Sequence, residues 1–170
     1  MSEIRVLIVE DEPLIAEDIA DFLRSIDYTI SAIVHNVTDA LQQLATNCPD
    51  IAILDVNLGE EQDGVFIAAT IKEKYKIPFV FLTSYSDKGT LDRAKHTHPM
   101  GYIVKPFEER NLRSTLEIAL FNFSELQNNG AITLDAINKK IISPLTKKEF
   151  EILQDLRKGK TNKQMAAIHF

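Results

Sequence analysis

Two kinds of hydrophobic pattern alternate along this chain. Short, nearly unbroken apolar runs occur at Ile4–Val9, Tyr28–Val34, Ile51–Leu54, Phe79–Leu82 and Gly101–Val104. Runs this short and this apolar predict strands covered on both faces. Between them, apolar residues recur at three- and four-residue intervals, the mark of helices with one buried side. Pro13 fits the first position of one such helix, where a missing N–H is harmless. Its buried side is read as Leu14, Ile15, Ile19, Phe22 and Leu23. A second helix is expected over Asn36–Ala45, with Val37, Leu41 and Leu44 inward. A third runs over Val65–Tyr75 and stops before Pro78, and a polar fourth runs from about Asp87 to His96. The fifth, Glu108 to Leu126, turns Leu112, Leu116, Ile118, Ala119 and Phe123 to the core. Strand and helix alternating in this way predict parallel strands joined by right-handed crossovers. The expected fold class is therefore α/β: a five-stranded parallel sheet with helices on both faces. Periodicity leaves the strand order open.

The pattern weakens at Gln127, and Asn128-Asn129-Gly130 is rich in turn formers. Residues 127–143 read as a linker. Leu145–Leu153 then reads as a helix, with Thr146 as N-cap and Glu149 three residues on, a capping box. Gly159 ends it, and Thr161–Ile168 begins another helix. The division expected is 1–126, a linker over 127–143, and a helical fragment over 144–170. Helix, glycine turn, helix is shared by DNA-binding helix-turn-helix units and plain αα-hairpins.

Composition narrows the class only a little. At 45% hydrophobic and 26% charged, the 170 residues have the make-up of an ordinary globular protein. A net charge of −6 gives no nucleic-acid footprint across the whole chain. The single cysteine, Cys48, excludes an intrachain disulfide and reads as structural filler beside Pro49. No signal peptide pattern opens the chain, and no apolar run approaches the ~20 residues of a membrane span. A cytoplasmic protein with no membrane partner is expected. His96 and His98 stand two apart, face apart on a helix, and read as surface residues.

The chemistry lies where the strands stop. Four of the five runs end in reactive or charged residues: Glu10-Asp11, Asp55, Thr83 and Lys105. In a parallel sheet these ends share one edge, where open α/β folds hold their ligands. Singly, each has a plain explanation: a helix cap for Asp55, a solvated turn for Glu10-Asp11, a loop hydroxyl for Thr83, a surface cation for Lys105. Together they repel and attract in a way that calls for a partner. Clustered carboxylates ask for a hard divalent cation such as Mg²⁺, which keeps waters and phosphate oxygens in its shell. Asp55 is then a metal ligand or a nucleophile toward phosphorus. Lys105 suits the charge of a phosphoryl group, and Thr83 suits a hydrogen bond to one of its oxygens.

The words Val6-Leu7-Ile8-Val9-Glu10-Asp11-Glu12-Pro13, Leu54-Asp55, Leu82-Thr83 and Tyr102-Ile103-Val104-Lys105-Pro106-Phe107 resemble the receiver domain of two-component response regulators, in order and spacing, over about residues 3–126. The resemblance implies a flavodoxin-like receiver in which Asp55 accepts a phosphoryl group from a histidine kinase. It implies Mg²⁺ held by Asp11, Asp55 and the backbone carbonyl of Asn57, with Glu10 assisting. Lys105 then contacts the phosphoryl group, its bond to Pro106 is cis, and Thr83 and Tyr102 act as switch residues. The face of the fourth helix, fifth strand and fifth helix is the implied readout surface and homodimer interface. The loop Gly59–Gly64 departs from the family: it lacks a proline often found there and is slightly long.

Leu145-Thr146, Glu149, Ile152-Leu153 and the run Gly159–Ala166 are similar to the start of LuxR-type DNA-binding domains, with a winged-helix output as the alternative. The similarity stops at Phe170, before the helix that would enter the major groove, so a truncated transcriptional output is expected, with DNA a partner only of the complete protein. Lys147, Lys148, Lys158, Lys160 and Lys163 are candidate phosphate contacts, which position without reading sequence. Two rivals remain. Haloacid dehalogenase-like phosphatases also use a Mg²⁺-assisted Asp, but need a second Asp as general acid where this chain has Asn57. A receiver used only as a protein-binding module would lack one of the acids or the lysine, and none is missing. The chain is therefore expected to be a phosphoacceptor and not an enzyme acting on external substrates.

Overall fold

A computed structural model describes residues 3–59, 63–84, 88–129, 138 and 145–157. Five strands form one sheet: β1 (Arg5–Val9), β2 (Thr29–Val34), β3 (Ile51–Asp55), β4 (Phe79–Thr83) and β5 (Gly101–Val104). All neighbours are parallel, in the order β2-β1-β3-β4-β5. The order reverses between β1 and β3. That is the topological switch point, where the carboxyl ends of the strands open a crevice.

Period-two alternation sorts the strand residues into two layers. Leu7, Val9, Ala52, Leu54, Phe79 and Phe81 face α2 (Val37–Thr46), α3 (Gly64–Thr70) and α4 (Lys88–Lys95). Val6, Ile8, Ile51, Ile53, Val80, Leu82 and Ile103 face α1 (Pro13–Ser25) and α5 (Glu109–Asn129). Burying each large side chain of this kind contributes about 1.5–3 kcal/mol before chain entropy is counted. The unbroken apolar runs are thus explained, because both faces of every central strand are covered.

Two helix faces differ from expectation. Leu14 is 82% exposed and Ile118 is 56% exposed. The inward residues of α1 are Ala16, Ile19, Ala20 and Leu23, so small alanines lie where the helix meets the sheet. On α5 the inward side is Leu112, Leu116 and Ala119, and Ile118 falls about 200° round from Leu116 at 100° per residue. Cys48, read as structural filler beside Pro49, is a free and exposed thiol. The expected helix over Val65–Tyr75 divides: α3 ends at Thr70, and Ile71–Tyr75 is a wider π-type turn. It closes with Lys76 N–H donating to the Ile71 carbonyl at 2.7 Å, Lys76 adopting the left-handed conformation. The bulge in the β1–β2 register falls between Val6 and Leu7, and the Ser31 hydroxyl there donates to the Val6 carbonyl at 3.0 Å.

The chain divides into two compact units, Met1–Glu125 and Leu126–Phe170. In the second, α6 (Lys147–Arg157) carries the expected capping box. The Glu149 carboxylate accepts from both the backbone and the hydroxyl of Thr146 at 2.8 Å, and the Thr146 hydroxyl accepts from Glu149 N–H at 3.3 Å. Asn138 grips the residue before it, exchanging hydrogen bonds with the Leu145 backbone at 2.7 and 3.0 Å. Gly159 and the helix expected over Thr161–Ile168 lie outside the described residues, as do Lys158, Lys160 and Lys163. No helix among the described residues is long and apolar enough to cross a membrane.

Candidate functional site

β1 and β3 are neighbours, so Glu10-Asp11 and Asp55 come out of the sheet side by side. Ligand oxygens of Glu10, Asp11 and Asp55 lie within 4.8 Å of one another. Glu10 is fully buried, Asp55 is 6% exposed, and Asp11 is exposed. Lys105, one residue past β5, reaches back across β4 to both buried acids. Its ammonium donates to Asp55 Oδ2 at 2.6 Å and to Glu10 Oε1 at 2.9 Å. Glu10 Oε2 lies 2.7 Å from the same ammonium, so both oxygens of this buried carboxylate face Lys105.

The electrostatics follow from that arrangement. Burial raises the Glu10 carboxyl from 4.5 to about 7; the hydrogen bond from Lys105 opposes this, and the Asp55 charge adds to it. Burial alone would lower the Lys105 ammonium, but its bonds to Asp55 and Glu10 outweigh burial and hold it above 10.5. Three carboxylates whose oxygens lie within 4.8 Å of one another fit a hard divalent cation.

The backbone around Asp55 is also fixed. Asp55 Oδ1 accepts from Asn57 N–H at 2.9 Å, and Asn57 Oδ1 accepts from Gly59 N–H at 3.1 Å. Gly59 has φ of +69°, which suits glycine, and its open side faces Asp11 Oδ2. Thr83 ends β4, is 8% exposed, and its carbonyl accepts from Lys105 N–H at 2.8 Å. The Lys105–Pro106 peptide is cis. Tyr102 is 37% exposed, with its ring 5.9 Å from that of Phe81. A cleft of about 220 Å³ opens between these groups, lined by Asp11, Glu12, Asp55, Asn57, Ser84 and Lys105. A larger cleft of about 620 Å³ lies beside it, between α1 and the start of α5, and includes Asp18, Phe22, Lys105, Pro106 and Phe107.

Glu10, Asp11, Asp55 and Lys105 are thus brought together, Thr83 is joined to Lys105 through its backbone carbonyl, and Tyr102 is set apart on the outer surface of β5. Sequence reasoning passed over Asp63, Gly64 and Arg93. Asp63 caps α3, accepting from Val65 and Phe66 N–H through Oδ1, and holds Arg93 of α4 through Oδ2 at 2.6 Å. An Asp before an apolar helical run is a legible N-cap signal. The tie to Arg93 left no trace in local spacing. His35 is a further supporting residue: its Nδ1 lies 2.7 Å from the Glu10 carbonyl, and only a protonated Nδ1 can donate there.

An open parallel α/β domain with a lysine and three carboxylates at its switch point defines a narrow structural class. The chain belongs to the response regulator receiver domain family, which matches residues 6–117. It is 36% identical over 122 residues to the transcriptional regulatory protein PdtaR of Mycobacterium tuberculosis, a match covering 72% of this chain and 59% of that protein. The chain therefore spans about three fifths of that relative's length. It is 30% identical to the heme response regulator HssR of Staphylococcus saprophyticus, over 86% of this chain and 69% of the relative. Among solved structures, the signal receiver domain of a modulated diguanylate cyclase from Desulfovibrio desulfuricans is similar, with 33% identity and a TM-score of 0.69. That likeness covers 73% of this chain and 98% of the other.

Proposed function

We propose that the chain is a phosphoryl-accepting switch in which Asp55 is the acceptor and a histidine kinase the donor. The observation that carries this reading is the Lys105 ammonium bridging Asp55 and buried Glu10 at the strand ends. Asp55 Oδ attacks phosphorus, the bond from phosphorus to the donor nitrogen breaks, and an acyl phosphate forms. Lys105, now held by two carboxylates, transfers its contact to the incoming phosphoryl oxygens. Glu10, Asp11, Asp55 and the Asn57 carbonyl are the residues to hold Mg²⁺. When bound, the ion supplies charge neutralisation for the anions meeting there. Thr83 and Tyr102 carry the event to the surface of β4 and β5, a local charge change biasing a two-state element.

The larger cleft beside Lys105 and Pro106 is the candidate docking ground for the donor, since it adjoins the acceptor and is rimmed by Asp18, Asp21 and Glu109. For the output we propose transcriptional control through a LuxR-type DNA-binding unit beginning at residue 144, with 127–143 as linker. Support comes from the capped helix α6 and from relatives named as transcriptional regulators. A cytoplasmic site of action accords with the single free cysteine.

Acetyl phosphate with Mg²⁺ is expected to add one phosphoryl mass to the wild-type protein and none to Asp55→Asn. Equal modification of the two by intact-mass spectrometry removes Asp55 as acceptor.

A further inference from the structure

Asp63 spends its two carboxylate oxygens on two different elements. Oδ1 accepts from Val65 N–H at 3.0 Å and Phe66 N–H at 3.2 Å, capping α3. Oδ2 accepts from the Arg93 guanidinium of α4 at 2.6 Å. The Asp63 side chain is 12% exposed, while that of Arg93 is 58% exposed. Capping needs only one of these oxygens, so the second is committed to α4.

The next residue seats this pair on the acceptor. Gly64 N–H donates to the Val56 carbonyl at 3.2 Å. A Cβ at Gly64 would stand 1.8 Å from the Asp55 carbonyl oxygen, so the start of α3 rests on the acceptor's own backbone. The path from Asp55 through Gly64 and Asp63 to Arg93 is continuous in hydrogen bonds and packing. Next to Arg93, Ala94 is fully buried in the same helical layer, so the ion pair and this contact anchor the same turn of α4.

We propose that the Asp63–Arg93 ion pair is a positioning tie that holds α4 against the acceptor end of β3 and biases the protein toward its unmodified form. The proposal rests on the reading of Asp55 as the acceptor of a two-state switch, and adds to it that α4 moves with that switch. Any arrangement that draws α4 away from the start of α3 gives up this charge-assisted bond. A contact shifts a two-state equilibrium only by what it is worth in one state and not in the other. Removing it therefore makes the modified form easier to reach.

The test uses the full chain with Mg²⁺ and beryllofluoride as a phosphoryl mimic, following amide resonances of β5. Asn caps helices as well as Asp does, so Asp63→Asn keeps α3 intact. Arg93→Gln and Asp63→Asn are each expected to lower the half-saturating beryllofluoride concentration about three- to tenfold, the range of a partly exposed ion pair with one short charged bond. Combining them should add nothing further, and Arg93→Lys should recover part of the wild-type value. In the unmodified protein, hydrogen exchange in α4 should quicken in both variants while α3 is unchanged. Wild-type midpoints in both single variants, or additive effects in the double, overturn the tie while leaving Asp55 as acceptor. A wild-type chain that fails to respond to beryllofluoride overturns the acceptor reading, and the tie with it.

Discussion

Glu10 is the residue on which the electrostatics of the cleft turn. Its carboxyl is raised from 4.5 to about 7 in the fold, so the folded protein binds a proton that the unfolded chain has released. That contribution to stability is complete below about 4.5 and is lost as pH rises through about 7. In EDTA, the urea midpoint of the wild-type protein is expected to fall between pH 5 and pH 8 relative to Glu10→Gln, which lacks the group. Parallel pH profiles for the two proteins would show that Glu10 does not titrate in this range. Glu10, Asp11, Asp55, Thr83 and Lys105 were readable from the sequence, because each follows or ends an apolar run in a topology that makes those ends neighbours. Burial was not: nothing in the order of residues distinguishes fully buried Glu10 from exposed Asp11 beside it.

Among the elements, α3 depends most on a single position. Gly64→Ala places a methyl group against the Asp55 backbone, which cannot rotate away as a side chain can. Overpacking of this kind costs about 1–3 kcal/mol or more, and the loss should appear in urea unfolding. Because α3 then lifts from the acceptor strand, phosphorylation from acetyl phosphate should slow as well; an unchanged rate would uncouple α3 from the site. Strand positions were legible nearly to the residue, since both faces of the central strands are covered and their apolar runs are unbroken, while β2 and β5 at the borders are only partly buried. Helix faces were less so. Leu14 and Ile118 look like core residues by type, but the sheet-facing arcs of α1 and α5 are set by Ala16, Ala20 and Ala119, whose small size lets the helices approach. The π-type turn at Ile71–Tyr75 and the reach of Arg93 to Asp63 are tertiary outcomes, and no local pattern encodes them.

For the whole molecule, the sequence defined a parallel α/β domain but not its strand order, which depends on which crossover packs on which face. Ile118 and Phe121 are exposed on α5 and Tyr102 is exposed on β5, two of the elements of the proposed readout side. If modification drives pairing of two copies there, beryllofluoride with Mg²⁺ should raise the dimer fraction in sedimentation, and Phe121→Glu should restore the monomer. A Phe121→Glu protein that dimerises as wild type does would move the contact elsewhere. The borders of the sheet bear on the same question. β2, one border, is kinked by its bulge at Ser31, and β5, the other, has only four residues before Lys105-Pro106 ends it. Neither border offers a long flat run of free backbone groups, so strand-by-strand extension of the sheet from one copy to the next is discouraged. Any pairing of copies would then use exposed helix side chains, which can be rearranged and released without unzipping the sheet that holds Asp55.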